Sequence, residues 1–266
     1  MHTKVRPIPQ FTRLSIANGQ FDFLVRAIPV LDAIEETGPA AHTLLDVGSG
    51  STGIAPLLAE RWQVTMVDPD FDDYGSANGP RVERADAVIG DVRALPFEDQ
   101  AFDVVVALDL LEHVPPEDRE TAIGELCRVS RRRAVIACPA GAGALGVDRR
   151  LADRMRERGH PLPGWLDEHL RYGFSEPDDL AATAAAAGHV RLFGNEALHA
   201  HERLMNAENG AVSGRLLRLG CAAVERMLIS HSRRSRRFAR WVLWQVRARD
   251  EPPTYRAVIS VDIGSD

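Results

Sequence analysis

Thr43-Leu44-Leu45-Asp46-Val47-Gly48-Ser49-Gly50-Ser51-Thr52-Gly53 runs directly into Ile54-Ala55-Pro56-Leu57-Leu58-Ala59. A short apolar run ending in a glycine-rich turn, then a helical pattern, predicts strand, tight loop and helix. Glycines there let the backbone take φ > 0 and come close to a ligand. Ser51 or Thr52 would cap the helix, and Pro56 lies near its first turn, where a missing N–H costs little. In an open α/β sheet, such a loop at a helix N-terminus is a small-molecule site.

The spacing Gly48-x-Gly50-x-x-Gly53 also fits the dinucleotide fingerprint. Asp46 separates the two readings. A diphosphate is an anion, and a carboxylate two residues before the first glycine would repel it. A carboxylate suits a ligand with positive charge, such as the ammonium and sulfonium of S-adenosylmethionine. The other reading of Asp46 is a turn residue bonded to its own loop.

The 266 residues, 45% hydrophobic and 26% charged, suit a globular chain. That length allows one domain with insertions, or a domain with a small cap. A net charge of −6 argues against a general nucleic-acid binder. Cys127, Cys138 and Cys221 have neither disulfide-framework nor zinc spacing and read as reduced core thiols. No cationic, apolar N-terminal signal and no membrane-length apolar run is visible, so the expected location is the cytoplasm.

Working outward, Phe21 to Glu36 is amphipathic, with Pro29 expected to kink or split it. Val64 to Val67 reads as the second strand and ends in Asp68-Pro69, where a carboxylate can accept both ribose hydroxyls of a nucleoside. A third strand, Ala85 to Ile89, closes on Gly90-Asp91-Val92. The solid apolar run Val104 to Leu108 suits a central parallel strand buried on both faces. Asp109-Leu110-Leu111-Glu112-His113-Val114 sits just past its carboxyl end. A helix from Glu117 to Val129 follows, with Arg131-Arg132-Arg133 as its solvated end and Ala134 to Ala137 as the fifth strand. From Ala140 to Pro177 the alternation falters. Glycines 141, 143 and 146 precede a charged helix, Asp148 to Arg158, then Pro163, Trp165, His169 and Tyr172. Asp178 to Ala187 reads as an Ala-rich helix, Val190 to Phe193 as a sixth strand, and Tyr255 to Ile263 as a final one.

Together, Leu45-Asp46-Val47-Gly48-Ser49-Gly50, Val67-Asp68, Gly90-Asp91 with Leu95-Pro96-Phe97, Phe102 to Val106 and Leu111-Glu112-His113-Val114 resemble class I S-adenosylmethionine-dependent methyltransferases. The nearest resemblance is to the type 11 group, which includes menaquinone and ubiquinone biosynthesis enzymes. It spans Thr43 to about Pro139. It implies a Rossmann-like, doubly wound, mostly parallel seven-stranded sheet with an antiparallel last strand and a helical insertion before it. Asp46, Gly48, Ser49, Gly50 and Gly53 would face the methionine part of the cofactor. Asp68 would hold the ribose, Asp91 and the Val92 amide would read the adenine, and Asp109 would close over the sulfonium side. The family pattern D-x-G-x-G-x-G has glycine where this chain has Thr52, with Gly53 one place later. Pro163-x-Trp165-Leu166-x-Glu168-His169 resembles, more loosely, methyltransferases of surface-glycan pathways.

The implied organisation is an N-terminal helical extension (1–42), a cofactor-binding core (43–195, with a variable substrate region at 140–177), a helical insertion (196–250) and a final core strand (251–266). The expected reaction is in-line methyl transfer to a small-molecule, glycan or lipid-linked acceptor. His113 or His169 is the expected base, with His160 and Tyr172 as alternatives. Asp109, Glu112, His113 and His169 together suggest a metal, but no ligand pair among them has helical i, i+4 spacing, so the sequence predicts none. A nicotinamide oxidoreductase and a non-catalytic cofactor-binding scaffold are the competing readings. Arg233 to Arg249 reads as a basic amphipathic helix, Phe238, Trp241, Val242 and Val246 on one face and arginines on the other. Such a helix either packs on the domain or meets the inner face of a membrane peripherally.

Overall fold

A computed structural model describes residues 4–5, 21–71, 85–208, 211–228, 234–235, 237–239, 241–242 and 251–264. Its strands are β1 (Lys4–Val5), β2 (Thr43–Val47), β3 (Gln63–Asp68), β4 (Ala85–Ile89), β5 (Phe102–Leu108), β6 (Ser130–Pro139), β7 (Gly188–Ala197) and β8 (Thr254–Ile263). Its helices are α1 (Phe21–Glu35), α2 (Arg119–Arg128), α3 (Gly141–Glu157), α4 (Gly164–Tyr172), α5 (Pro177–Ala184), α6 (Leu198–Glu208) and α7 (Ala211–Leu228). The sheet order is β1-β4-β3-β2-β5-β6-β8-β7. Neighbours from β4 to β6 pair in parallel, and β8 inserts antiparallel between β6 and β7. This is the expected seven-stranded sheet with an antiparallel last strand. The two-residue β1 adds an antiparallel edge to β4.

Alternation along the central strands fills two apolar layers. Leu45, Val47, Val105 and Ala107 face α2 and α5, packing with Ile123, Leu126, Leu180 and Ala184. Leu44, Val104 and Val106 face the other way and pack with Val30, Ile34, Ile54 and Met66. A solid Val run can serve both layers because successive side chains point to opposite faces. Each such fully buried side chain contributes about 1.5–3 kcal/mol. Cys127, Cys138 and Cys221 are free and buried, as read from their spacing.

The structure corrects several local expectations. The helix after the glycine turn is one 3-10 turn, Ala55–Leu57, and no side chain caps it. Leu58 is already extended, and β3 starts at Gln63, leaving no room for further turns. Pro29 lies inside a continuous α1. Arg131, Arg132 and Arg133 belong to β6 rather than to a helix end. Arg133 is buried and ion-pairs with Asp262 of β8, and Arg131 and Arg132 reach the buried Asp103. Glycines 141, 143 and 146 form the first turns of α3 instead of a loop before it. α5 stops at Ala184, short of the expected Ala187, and β7 already starts at Gly188, before the expected Val190.

Between β7 and β8 lie α6 and α7. Ala239 and Val242 pack with Cys221 and Val224 of α7, so part of the expected apolar face covers the domain. Phe238 and Trp241, assigned to that same face, are exposed and stacked on each other. Arg233, Arg236, Arg240, Val246, Arg247 and Arg249 lie outside the described residues, as does most of the expected N-terminal extension before Phe21.

Candidate functional site

The carboxyl ends of β2, β3, β4 and β5 open on one edge of the sheet, the edge where parallel α/β sheets hold ligands. At the end of β2 the chain turns at Gly48, φ +68°, and its amide donates to the Val67 carbonyl at 2.8 Å. The Gly50 amide donates to Asp68 Oδ2 at 2.9 Å, and the Ile54 amide to Asp46 Oδ2 at 2.8 Å. Gly53, φ +59°, donates its amide to the Ser49 carbonyl at 3.0 Å. The Ser49 hydroxyl donates to the Gly50 carbonyl. Two carboxylates, one from each strand, therefore brace the loop from beneath. Burial pushes the Asp46 carboxyl up to about 7 against the pull of the Ile54 amide, and Asp68 adds to the rise. Burial also raises Asp68, partly offset by the amides of Gly50, Asp70 and Phe71. The reading of Asp46 as a turn residue bonded to its own loop thus describes one of its oxygens.

Farther along the edge, Asp91 forms a forked pair with Arg93, which also reaches Asp118. The Arg93 hydrogen bonds hold Asp91 below the usual carboxylate range. Val92 beside it is buried. Asp109, φ +52°, ion-pairs with Arg26 of α1 and accepts from Arg256 Nε of β8 at 3.0 Å. Arg256 also reaches Asp22 and Glu196, and His201 Nδ1 lies 2.9 Å from Glu196 Oε2. This ionic cluster ties α1, β5, β7, β8 and α6 together behind the edge.

Beyond β5, a 3-10 turn, Leu111–His113, carries Glu112 and His113 to α4. His113 and His169 stand with ring centroids 5.0 Å apart. His113 Nδ1 pairs with Glu168 at 2.7 Å, and His169 Nδ1 with Asp148 at 2.7 Å. Tyr255 donates its hydroxyl to the same Asp148. Burial and the neighbouring His169 lower the His113 pKa despite Glu168. Burial raises Glu112 well above the carboxylate range, with Asp109 adding to it. Of the alternative bases, His160 is exposed, and Tyr172 is half-buried beside Arg171.

A family model described as a methyltransferase domain matches residues 45–138. An uncharacterized methyltransferase of Mycobacterium avium is 30% identical over 171 residues, 58% of this chain and 66% of its own length. An uncharacterized methyltransferase of Mycobacterium leprae is 37% identical over 79 residues, 29% of each chain. The chain therefore spans less than a third of that relative. The solved structure of Haemonchus contortus phosphoethanolamine N-methyltransferase 2 in complex with S-adenosyl-L-methionine superposes with a TM-score of 0.51 at 14% identity, covering 89% of this chain and 52% of that one. The chain carries a class I S-adenosylmethionine-dependent methyltransferase domain. Within this methyltransferase domain Asp46 lies one residue before the end of β2, Asp68 ends β3, and Asp91 and Asp109 lie in the loops beyond β4 and β5. Sequence reasoning missed Arg256, Glu196 and Asp22. Arg256 interrupts an apolar strand, which was a readable signal. Glu112 enters the sequence reading only as a candidate metal ligand.

Proposed function

We propose that the chain transfers a methyl group from S-adenosylmethionine to a small-molecule, glycan or lipid-linked acceptor. The observation that supports this best is the glycine loop braced by Asp46 and Asp68 at adjoining strand ends. Glycines at 48 and 53 leave the loop backbone bare, since a Cβ at either position would press on Leu110 or on the Asp46 carboxylate. A cationic ligand fits between carboxylates where a diphosphate would not. The cofactor, when bound, supplies an activated methyl on a sulfonium. Asp68 would hold the ribose hydroxyls with the oxygen lone pairs its loop amides leave open. Asp46 would face the methionine end, and Asp91 with the Val92 amide the adenine edge. On the acceptor side, His113 and His169 stand ready to orient the acceptor or take its proton.

Calorimetric titration with S-adenosylmethionine, S-adenosylhomocysteine and NAD tests the proposal. Binding of the first two and not the third is expected. Replacing Asp68 with Ala should weaken it by about 1–3 kcal/mol, as hydrogen bonds to a charged acceptor are lost. Tight NAD binding with no response to the sulfonium compounds would overturn it.

A lipid-linked acceptor has its own supporting observation. Leu216, Leu219, Phe238 and Trp241 are all more than half exposed. Among the described residues no helix is long and apolar enough to cross a membrane.

A further inference from the structure

We propose that Glu112, His113 and His169 form a binding site for a divalent transition-metal cation. Ligand atoms of the three lie within 4.8 Å of one another. Two imidazoles and one carboxylate, Glu112 and His113 from one turn and His169 from α4, leave coordination positions open and are a donor set suited to zinc, iron(II), cobalt or manganese.

Three further observations carry the inference. Both oxygens of Glu112 are buried and have no hydrogen-bond partner, although the residue is only 2% exposed. A buried carboxylate left unpaired is costly, and a cation would satisfy it. Arg119, the nearby guanidinium, is turned elsewhere and donates to the Val114 carbonyl, the Ser175 hydroxyl and the Gly173 carbonyl. Each histidine also has its Nδ1 tied to a carboxylate, Glu168 for His113 and Asp148 for His169. That arrangement fixes the tautomer and presents Nε2 as a basic ligand, the outer shell that metal-binding histidines commonly have. His169 Nε2 already lies 4.0 Å from Glu112 Oε1. Metal bonds of about 2.0–2.2 Å would draw the three ligands closer, a rotamer adjustment for side chains at a turn and a helix. His113, with 22% of its side chain exposed, leaves an entry path.

No two of these ligands share a helix at i, i+4 spacing, which is why the sequence alone predicts no metal. Here the third ligand comes from α4, 56 residues beyond His113. The site lies past β5, on the acceptor side. Its open positions would take water or an acceptor oxygen, whose pKa a bound cation lowers, so with the cation bound the two histidines would hold the metal instead of taking the proton. Binding does not depend on methyl transfer, so the test reads metal directly.

The full-length protein, stripped with chelator, is titrated with cobalt(II) and followed by its visible absorption. Zinc, manganese and magnesium then compete. One equivalent should bind, with bands of nitrogen and oxygen ligation that zinc abolishes. Glu112→Gln and His113→Asn should lose the band while keeping the wild-type circular dichroism. Glu168→Gln should weaken binding about 10–100-fold, as loss of an outer-shell partner does. His201→Gln, in the second three-ligand cluster formed with Asp22 and Glu196, should leave the band intact. Zinc-edge absorption of the wild type, needing no variant, should show two imidazoles. Absence of stoichiometric binding, a band that survives Glu112→Gln and His113→Asn, or one lost only in His201→Gln would each overturn the proposal.

Discussion

Gly53 lies against the carboxylate of Asp46 so closely that a Cβ at this position would run into Oδ2. The strand-end carboxylate and the third glycine of the loop are thus a matched pair. The loop takes its positive-φ turn at 53 with φ +59°, and Thr52 before it needs no such conformation. The shift of glycine by one place from the family spacing is absorbed by this contact. Alanine at 53 must hold an unfavourable φ and displace a buried carboxylate. We expect Gly53→Ala to destabilise the protein by about 1–3 kcal/mol and to abolish S-adenosylmethionine binding. Gly124→Ala in α2, where a Cβ meets nothing, should be neutral or stabilising by up to about 1 kcal/mol. Urea unfolding of both variants decides it, and equal stability would contradict the contact.

Much of this was legible before the fold was known. Apolar runs bounded by glycine and aspartate located Ala85–Ile89 to the residue, and β2, β3 and β5 within one or two. Local chemistry dominates there: strands buried on both faces have few alternatives. Where a long-range partner decides, local reading failed. Arg131 to Arg133 look like a helix end until Asp103 and Asp262 are beside them. The meeting of His113 with His169 depends on α4 folding back over the strand ends, which no local period encodes. The short turn after Gly53 likewise reflects the distance to β3 rather than the propensity of Ile54 to Ala59.

Arg256 is the centre of another long-range assembly, the ionic cluster that joins α1, β7 and β8. Its guanidinium reaches Asp109 at 3.0 Å, Glu196 at 2.8 Å and Asp22 at 3.1 Å, with 3% of its side chain exposed. Arg256→Met removes the cation that faces all three buried carboxylates, leaving Arg26 and His201 beside them. A loss of about 3–5 kcal/mol is expected, read from chemical denaturation at neutral pH. A loss below about 1 kcal/mol, the scale of an exposed pair, would show that water reaches the cluster.

His201 gives the same cluster a pH dependence. Burial alone would lower its pKa, but hydrogen bonds and charge from Asp22 on α1 and Glu196 on β7 outweigh it and raise the value to about 9. Tyr255 stacks on the ring from β8, and Arg256 binds the same two carboxylates. A raised folded-state value favours the charged imidazolium in the folded protein. Its stabilisation is complete below the unfolded value of about 6.5 and is lost as pH rises through about 9. The wild-type urea midpoint should therefore fall between pH 7 and 10. His201→Gln should start lower and change less. Parallel curves for the two proteins would mean that His201 is neutral in the fold.

The exposed aromatics Phe238 and Trp241 lead to the last expectation. Their rings stack at 5.7 Å while Ala239 and Val242, on the other side, pack with Cys221 and Val224. One side of this segment therefore covers the domain, and the other offers two aromatics beside a run rich in arginine. Aromatic side chains enter the headgroup boundary, and arginines meet anionic lipid at about 1 kcal/mol each. The protein should co-sediment with vesicles containing phosphatidylglycerol and not with pure phosphatidylcholine, and added salt should weaken the binding through screening. Changing Phe238 and Trp241 to Ser should remove it. Changing Arg236, Arg237 and Arg240 to Gln should cost up to about 3 kcal/mol on the same scale, leaving the urea midpoint nearly unchanged. Negligible binding by the wild type to both vesicle types would leave these aromatics without a membrane role and turn the acceptor search toward soluble compounds.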